Sequence, residues 1–137
     1  MSIKNKADWS QLHWAVIDND LATVKDLIRV GADVNERTKN GYTSLHVAAV
    51  WNSDVAMTKT LIQFKADINA RDIIGWTPLH FAAGKNKNPA IVEALLEAGA
   101  HAHAKTNGGQ TALDLIQQND ALRHTEAHRK LLALSRR

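Results

Sequence analysis

Histidine is the residue type best placed to do chemistry in this chain, which has seven histidines and no cysteine. Without cysteine there is no thiolate nucleophile, no Cys-ligated zinc and no disulfide scaffold. His13, His46 and His80 each follow a leucine and stand 33 and then 34 residues apart. A catalytic residue has no reason to recur at a fixed period, so these three read as structural. His101 and His103 flank Ala102 and offer only a weak chelate. His124 and His128 are four apart, the spacing that sets two rings on one face of the last helix. Glu126, however, stands one place too far along for H-E-x-x-H. No G-x-S-x-G, P-loop or G-x-G-x-x-G occurs, and Gly108-Gly109 reads as a turn. The carboxylates are scattered near Lys and Arg, as Asp26 is near Arg29. The reading is of a non-enzyme that needs no cofactor and no metal.

The elements that carry these residues repeat. Gly41-Tyr42-Thr43-Ser44-Leu45-His46 returns 34 residues later as Gly75-Trp76-Thr77-Pro78-Leu79-His80, and again as Gly109-Gln110-Thr111-Ala112-Leu113-Asp114. Asp8-Trp9-Ser10-Gln11-Leu12-His13 has the same outline upstream. Gly31-Ala32-Asp33-Val34-Asn35 keeps the same beat, returning as Lys65-Ala66-Asp67-Ile68-Asn69 and Gly99-Ala100-His101-Ala102-His103. Between these blocks, Ala48-Ala49 and Leu61-Ile62 recur as Ala82-Ala83 and Leu95-Leu96. Thr77 caps a helix whose first residue is Pro78, and Asn88-Pro89 repeats the device. Ile91, Val92, Leu95 and Leu96 form an apolar stripe, and Gly99 ends that helix. Each unit is two short helices and a turn, too small to close a core alone. The helices must therefore stack, with alanine at the tight contacts. The fold class expected is an all-α repeat solenoid, one domain over 1–137 with units near 7–37, 38–71, 72–105 and 106–135.

These blocks resemble the ankyrin repeat, most fully at Thr77-Pro78-Leu79-His80-Phe81-Ala82. The resemblance implies L-shaped units whose β-hairpin or loop fingers project to one side. It also implies a binding groove between the fingers and the first helices. It makes His13, His46 and His80 structural, bonding the turn threonine and the neighbouring finger. The first unit, with Ser10-Gln11 and no opening glycine, is expected to be an N-terminal cap. The last unit has Asp114 in the histidine's place and reaches Leu131 after 17 residues, where His46 to Leu61 spans 15. It is expected to stretch its second helix and to cap the other end. Lys65 stands where the other units have glycine, so a left-handed backbone is expected there at a cost of roughly 1–2 kcal/mol.

Function is expected where the repeats depart from their own pattern. The residue after the turn glycine is expected to point out along the fingers, giving Trp9, Tyr42 and Trp76 as a wall of exposed aromatics, with Gln110 last. Trp51 joins them from the exposed end of a first helix. Ile73 and Ile74 sit at a fingertip where polar residues would be expected. Trp14 falls on a face toward the stack and is assigned to the core. Arg37, Arg71 and Lys105 share one repeat position, with Lys39 and Lys85 close by, giving a basic stripe beside the aromatic one. Asp72 and Glu36 neutralise part of it. The expected partner is another protein with apolar anchors and acidic residues around them.

Net charge is +3 and the pI about 9.3, but residues 1–99 carry 11 basic and 11 acidic residues. The excess lies in a tail with Arg123, Arg129, Lys130, Arg136 and Arg137. That tail keeps nucleic-acid binding open as an alternative, although a backbone binder needs a more concentrated field. A scaffold or self-assembly role is the other alternative, with a monomer favoured. The N-terminus MSIKNKADWS lacks the apolar run of a secretory signal, and no stretch of the chain is apolar enough to span a bilayer. Met1 and the capped final unit suggest a whole protein. An intracellular, cytoplasmic or nuclear location is expected, host-cell delivery by a bacterium being compatible with the same features.

Overall fold

A computed structural model describes residues 8–136. Position 7 of the first unit, most of the N-terminal stretch examined for a signal, and Arg137 lie outside the described residues. Among the described residues eight helices follow one another in pairs: α1 (Gln11–Ile17) with α2 (Leu21–Arg29), α3 (Ser44–Trp51) with α4 (Val55–Gln63), α5 (Pro78–Lys85) with α6 (Pro89–Glu97), and α7 (Ala112–Ile116) with α8 (Glu126–Ser135). α1, α3, α5 and α7 pack in a row, and α4, α6 and α8 form a second row behind them. This is the all-helical solenoid anticipated from the repeat. None of the described helices is long and apolar enough to cross a membrane.

Each inner helix starts the same way. Ser10, Thr43, Thr77 and Thr111 sit in extended backbone, and each side-chain oxygen accepts the N–H of the third helical residue. The side chain of that third residue bonds back to the capping residue's N–H, closing a capping box. Histidine fills this role three times, and Asp114 fills it in α7 through its Oδ2, 3.0 Å from Thr111 N. Asp20, Asp54 and Asn88 cap the outer helices, and Pro89 begins α6 without forfeiting a hydrogen bond.

Ala48, Ala49, Ala82 and Ala83 are fully buried, which lets neighbouring inner helices approach closely. Leu45, Leu61, Leu79, Ile91, Leu95, Ile116 and Leu131 fill the space between layers as one continuous core. Fully burying a side chain of this size stabilises by roughly 1.5–3 kcal/mol, and no single unit supplies enough of them.

One expectation is narrowed and one corrected. Among the described residues the fingers contain no β-strand and take the loop form; each is a tight turn closed by main-chain bonds between residues three and four apart. Thr38 N bonds Tyr42 O at 3.0 Å, Asp72 N bonds Trp76 O at 2.9 Å, and Thr106 N bonds Gln110 O at 2.9 Å. Adjacent fingers join through Ile73 N to Asn40 O and Asn107 N to Ile74 O. The extra residues of the last unit lengthen its second helix by only one, since α8 has 10 residues against 9 in α6. The others form turns over 117–125, where Leu122 is buried.

Lys65 adopts φ 72°, as anticipated, where Gly31 and Gly99 have φ 110° and 101°. The glycines leave open space around a would-be Cβ, so strain here is a matter of backbone conformation rather than crowding. Lys65→Gly is expected to stabilise the protein by about 1 kcal/mol, read as a raised urea midpoint at constant m-value. A lowered midpoint would contradict the turn assignment.

Candidate functional site

The fingers are held by three imidazoles whose protonation state follows from their neighbours. At His46, the N–H of Thr43 donates to Nδ1 at 3.1 Å, so Nδ1 carries no proton. Its Nε2 lies 2.9 Å from the carbonyl of Trp76 and must therefore be the donor. His13 repeats this between Ser10 and the carbonyl of Tyr42, and His80 between Thr77 and the carbonyls of Ala104 and Gln110. The neutral Nε2–H tautomer thus clasps the finger that follows each inner helix. Burial lowers the pKa of all three, that of His46 to about 4.

A second set of clasps uses arginine. Nη2 of Arg37 donates to the carbonyl of Arg71, and Nη2 of Arg71 donates to that of Lys105 at 2.9 Å. The guanidinium runs over the turn glycine: a Cβ on Gly75 would lie 2.6 Å from Arg71 Nη2. Two cations of the expected basic stripe are therefore exposed yet committed to neighbouring fingers. Lys39, Lys85 and Lys105 are also exposed, and the main-chain N–H of Lys39 bonds the Asp8 carboxylate.

The aromatic wall is corrected in part. Trp9 and Tyr42 are buried, at 7% and 4% exposure, and Trp76 is half-buried. These rings fold back onto the inner helices instead of pointing outward. Trp9 lies between His13 and Trp14, at 5.7 and 5.5 Å between ring centroids. Tyr42 meets the edge of Phe81 from the next unit at 6.1 Å. Trp76 leans on Phe81 at 4.9 Å and reaches toward Gly84. Trp14 reverses the other way and is 43% exposed. Its register positions Val47, Phe81 and Leu115 are buried because a preceding unit covers them. The described residues contain no unit ahead of α1.

Trp51, Ile73 and Ile74 are exposed as expected, at 38%, 50% and 43%. The two isoleucines crown the middle finger where its neighbours have Lys39-Asn40 and Asn107-Gly108. Asp72 holds that tip. Its Oδ1 accepts from Ile74 N at 3.0 Å and Trp76 N at 2.8 Å, where the register threonines Thr38 and Thr106 each accept one N–H. Burial raises the Asp72 pKa, against the pull of those two N–H groups and of Arg37 and Arg71. Sequence reading treated Asp72 only as a neutralising charge. Its register with two threonines was the available signal.

The histidine pair near the C-terminus does not share a helix face. His124 precedes the α8 cap at φ 68°, and its N–H donates to His128 Nδ1 at 3.1 Å. No cluster of three or more metal-ligating side chains exists among the described residues.

Comparison with known proteins matches the family described as "Ankyrin repeats (3 copies)" over residues 12–106 and 49–135. The chain belongs to the ankyrin-repeat family. Ankyrin repeats are generally protein–protein interaction modules, and the periodic imidazole and arginine clasps are how this ankyrin chain fixes its fingers. Among similar proteins, mouse "Protein phosphatase 1 regulatory subunit 27" is 46% identical over 37 residues, 27% of this chain and 24% of that protein. Human "Notch-regulated ankyrin repeat-containing protein" is 45% identical over 38 residues, 28% of this chain and 33% of that protein. The match thus spans a quarter to a third of those relatives.

The lowered histidine pKa values set a sign for stability against pH. Below about pH 6.5 these three rings take up protons in the unfolded chain and resist doing so in the folded one, so their contribution to stability falls as pH drops from 6.5 toward 4. Urea unfolding at pH 5.5 is expected to give a free energy at least about 1.4 kcal/mol below that at pH 7.5 from His46 alone. The loss should shrink in His46→Gln. A pH-independent midpoint over this range would contradict the neutral clasps.

Proposed function

We propose that this ankyrin chain is a non-catalytic recognition module. It binds a partner protein in the groove between its fingers and inner helices. Ile73 and Ile74, with Trp51 and the open side of Trp76, serve as the apolar anchors. Lys39, Lys85 and Lys105, with the exposed guanidinium edges of Arg37 and Arg71, orient a partner that carries acidic residues around its own apolar contacts. Trp9 and Tyr42 act from beneath, stiffening the floor. The observation that carries the reading is the pair of adjacent isoleucines left in solvent on a finger pinned by a buried carboxylate. Exposed apolar residues on a rigid frame lose little entropy on binding, and a polar, charged rim supplies orientation and on-rate. One relative is named a regulatory subunit, which accords with a protein partner.

Ile73→Asp combined with Ile74→Asp tests this without touching the core. Immobilised wild-type protein is expected to retain a specific partner from a native extract that the double variant, of equal thermal stability, does not. For that partner, Trp51→Ala is expected to weaken affinity by at least about 2 kcal/mol if it is a hot spot. Undiminished binding by the double variant would overturn the placement.

A further inference from the structure

The second and third interfaces between units are built alike, and the first is not. Asn86 Nδ2 donates back across its interface to the carbonyls of Ala49 and Asn52, both at 2.8 Å. Asn119 does the same to Ala83 at 2.9 Å and Asn86 at 2.8 Å. Asn52 occupies the same register position and is buried. Among the described residues its side chain bonds no carbonyl of the first unit, and its Oδ1 has no hydrogen-bond partner.

The cause lies in α1, which has 7 residues where α3 has 8. The chain turns early through Asn19 at φ 56°. The Asn19 N–H then takes the Val16 carbonyl at 3.0 Å, and the Asp20 N–H takes that of Ala15 at 3.0 Å. Val16 is the register counterpart of Ala49, so the carbonyl that Asn52 would use is already bonded within its own turn. Ser44 Oγ, at the register of Pro78 and Ala112, is also buried without a partner. A buried polar atom left unpaired destabilises the interface that contains it. The outer layer shows the same break: α6 packs on α4 and α8 on α6, but α2 makes no comparable contact with α4. The first unit is still tied down by the packing of α1 on α3, by the Arg37 clasp to the Arg71 carbonyl, and by His13 to Tyr42, Asp8 to Lys39, and Asn35 to the 65–67 turn.

From this we infer that the α1–α2 pair is the opening unit of the stack: it detaches from α3 and unfolds locally while the other three units stay folded. Opening uncovers the flank of α3 that carries Ser44 and Val47 and withdraws Trp14 from the end of the groove. Asn35 and the turn it bonds serve as the hinge. The inference does not depend on the binding reading above.

Native-state hydrogen exchange on the full chain, in urea below the unfolding transition, reads this directly. Amides of 11–29 are expected to exchange at least tenfold faster than those of 78–97, with a shallower urea dependence. Asn52→Ala, which has no tie to lose and removes an unpaired buried oxygen, is expected not to accelerate exchange over 11–29. Asn86→Ala is expected to accelerate exchange over 44–63 tenfold or more. Uniform exchange rates and urea slopes along the chain would overturn the inference. So would a least-protected segment at 126–135, or equal effects of the two asparagine variants.

Discussion

One buried, uncharged imidazole in each of the first three units couples the start of an inner helix to the finger that follows it. The ring does two jobs at once. Nδ1 receives the N–H of the capping residue, which would otherwise be an orphan of the helix start, and Nε2–H satisfies a finger carbonyl. Charging the ring would set a second hydrogen against the capping N–H, and burial resists it further. The fingers contain no sheet of their own, so their position rests on these rings, on the arginine clasps and on single main-chain bonds between tips. Asp114, in place of histidine in the last unit, keeps the capping contact and has no Nε2–H to offer.

This mode of support explains how the finger side can be both rigid and chemically variable. Clasps are made by side chains at fixed register positions and received by main-chain carbonyls. The tip residues between them are therefore released from structural duty, and Lys39-Asn40, Ile73-Ile74 and Asn107-Gly108 differ without disturbing the stack. Asp72 marks the one tip given extra support, a carboxylate where its neighbours have threonine. The opposite holds at interfaces. Small departures there, a helix shorter by one residue or a serine in place of proline, leave buried polar atoms unpaired.

Much of the fold was legible from the chain alone because its signals are local. The 34-residue beat, the threonine and asparagine caps, Pro78 and Pro89 at helix starts, and the strained Lys65 each depend on a few adjacent residues. The candidate site was legible only in part, because ring orientation is set by the neighbouring unit. Tyr42 is buried by Phe81, which belongs to the unit after it. Trp76 settles on the inner helix of its own unit, against Phe81 and near Gly84. Trp14 sits at a position that is core in every later unit, and it is exposed for want of a unit ahead of it among the described residues. The extra length of the last unit could not be divided between helix and turn by counting, and all but one residue of it went to the turn.

The neutral clasp is most directly measured by NMR titration of the His46 ring in the folded protein. The account requires the Nε2–H tautomer at neutral pH and a ring that stays uncharged until about pH 4. Titration near the ordinary value of about 6.5, with the fold intact, would contradict it.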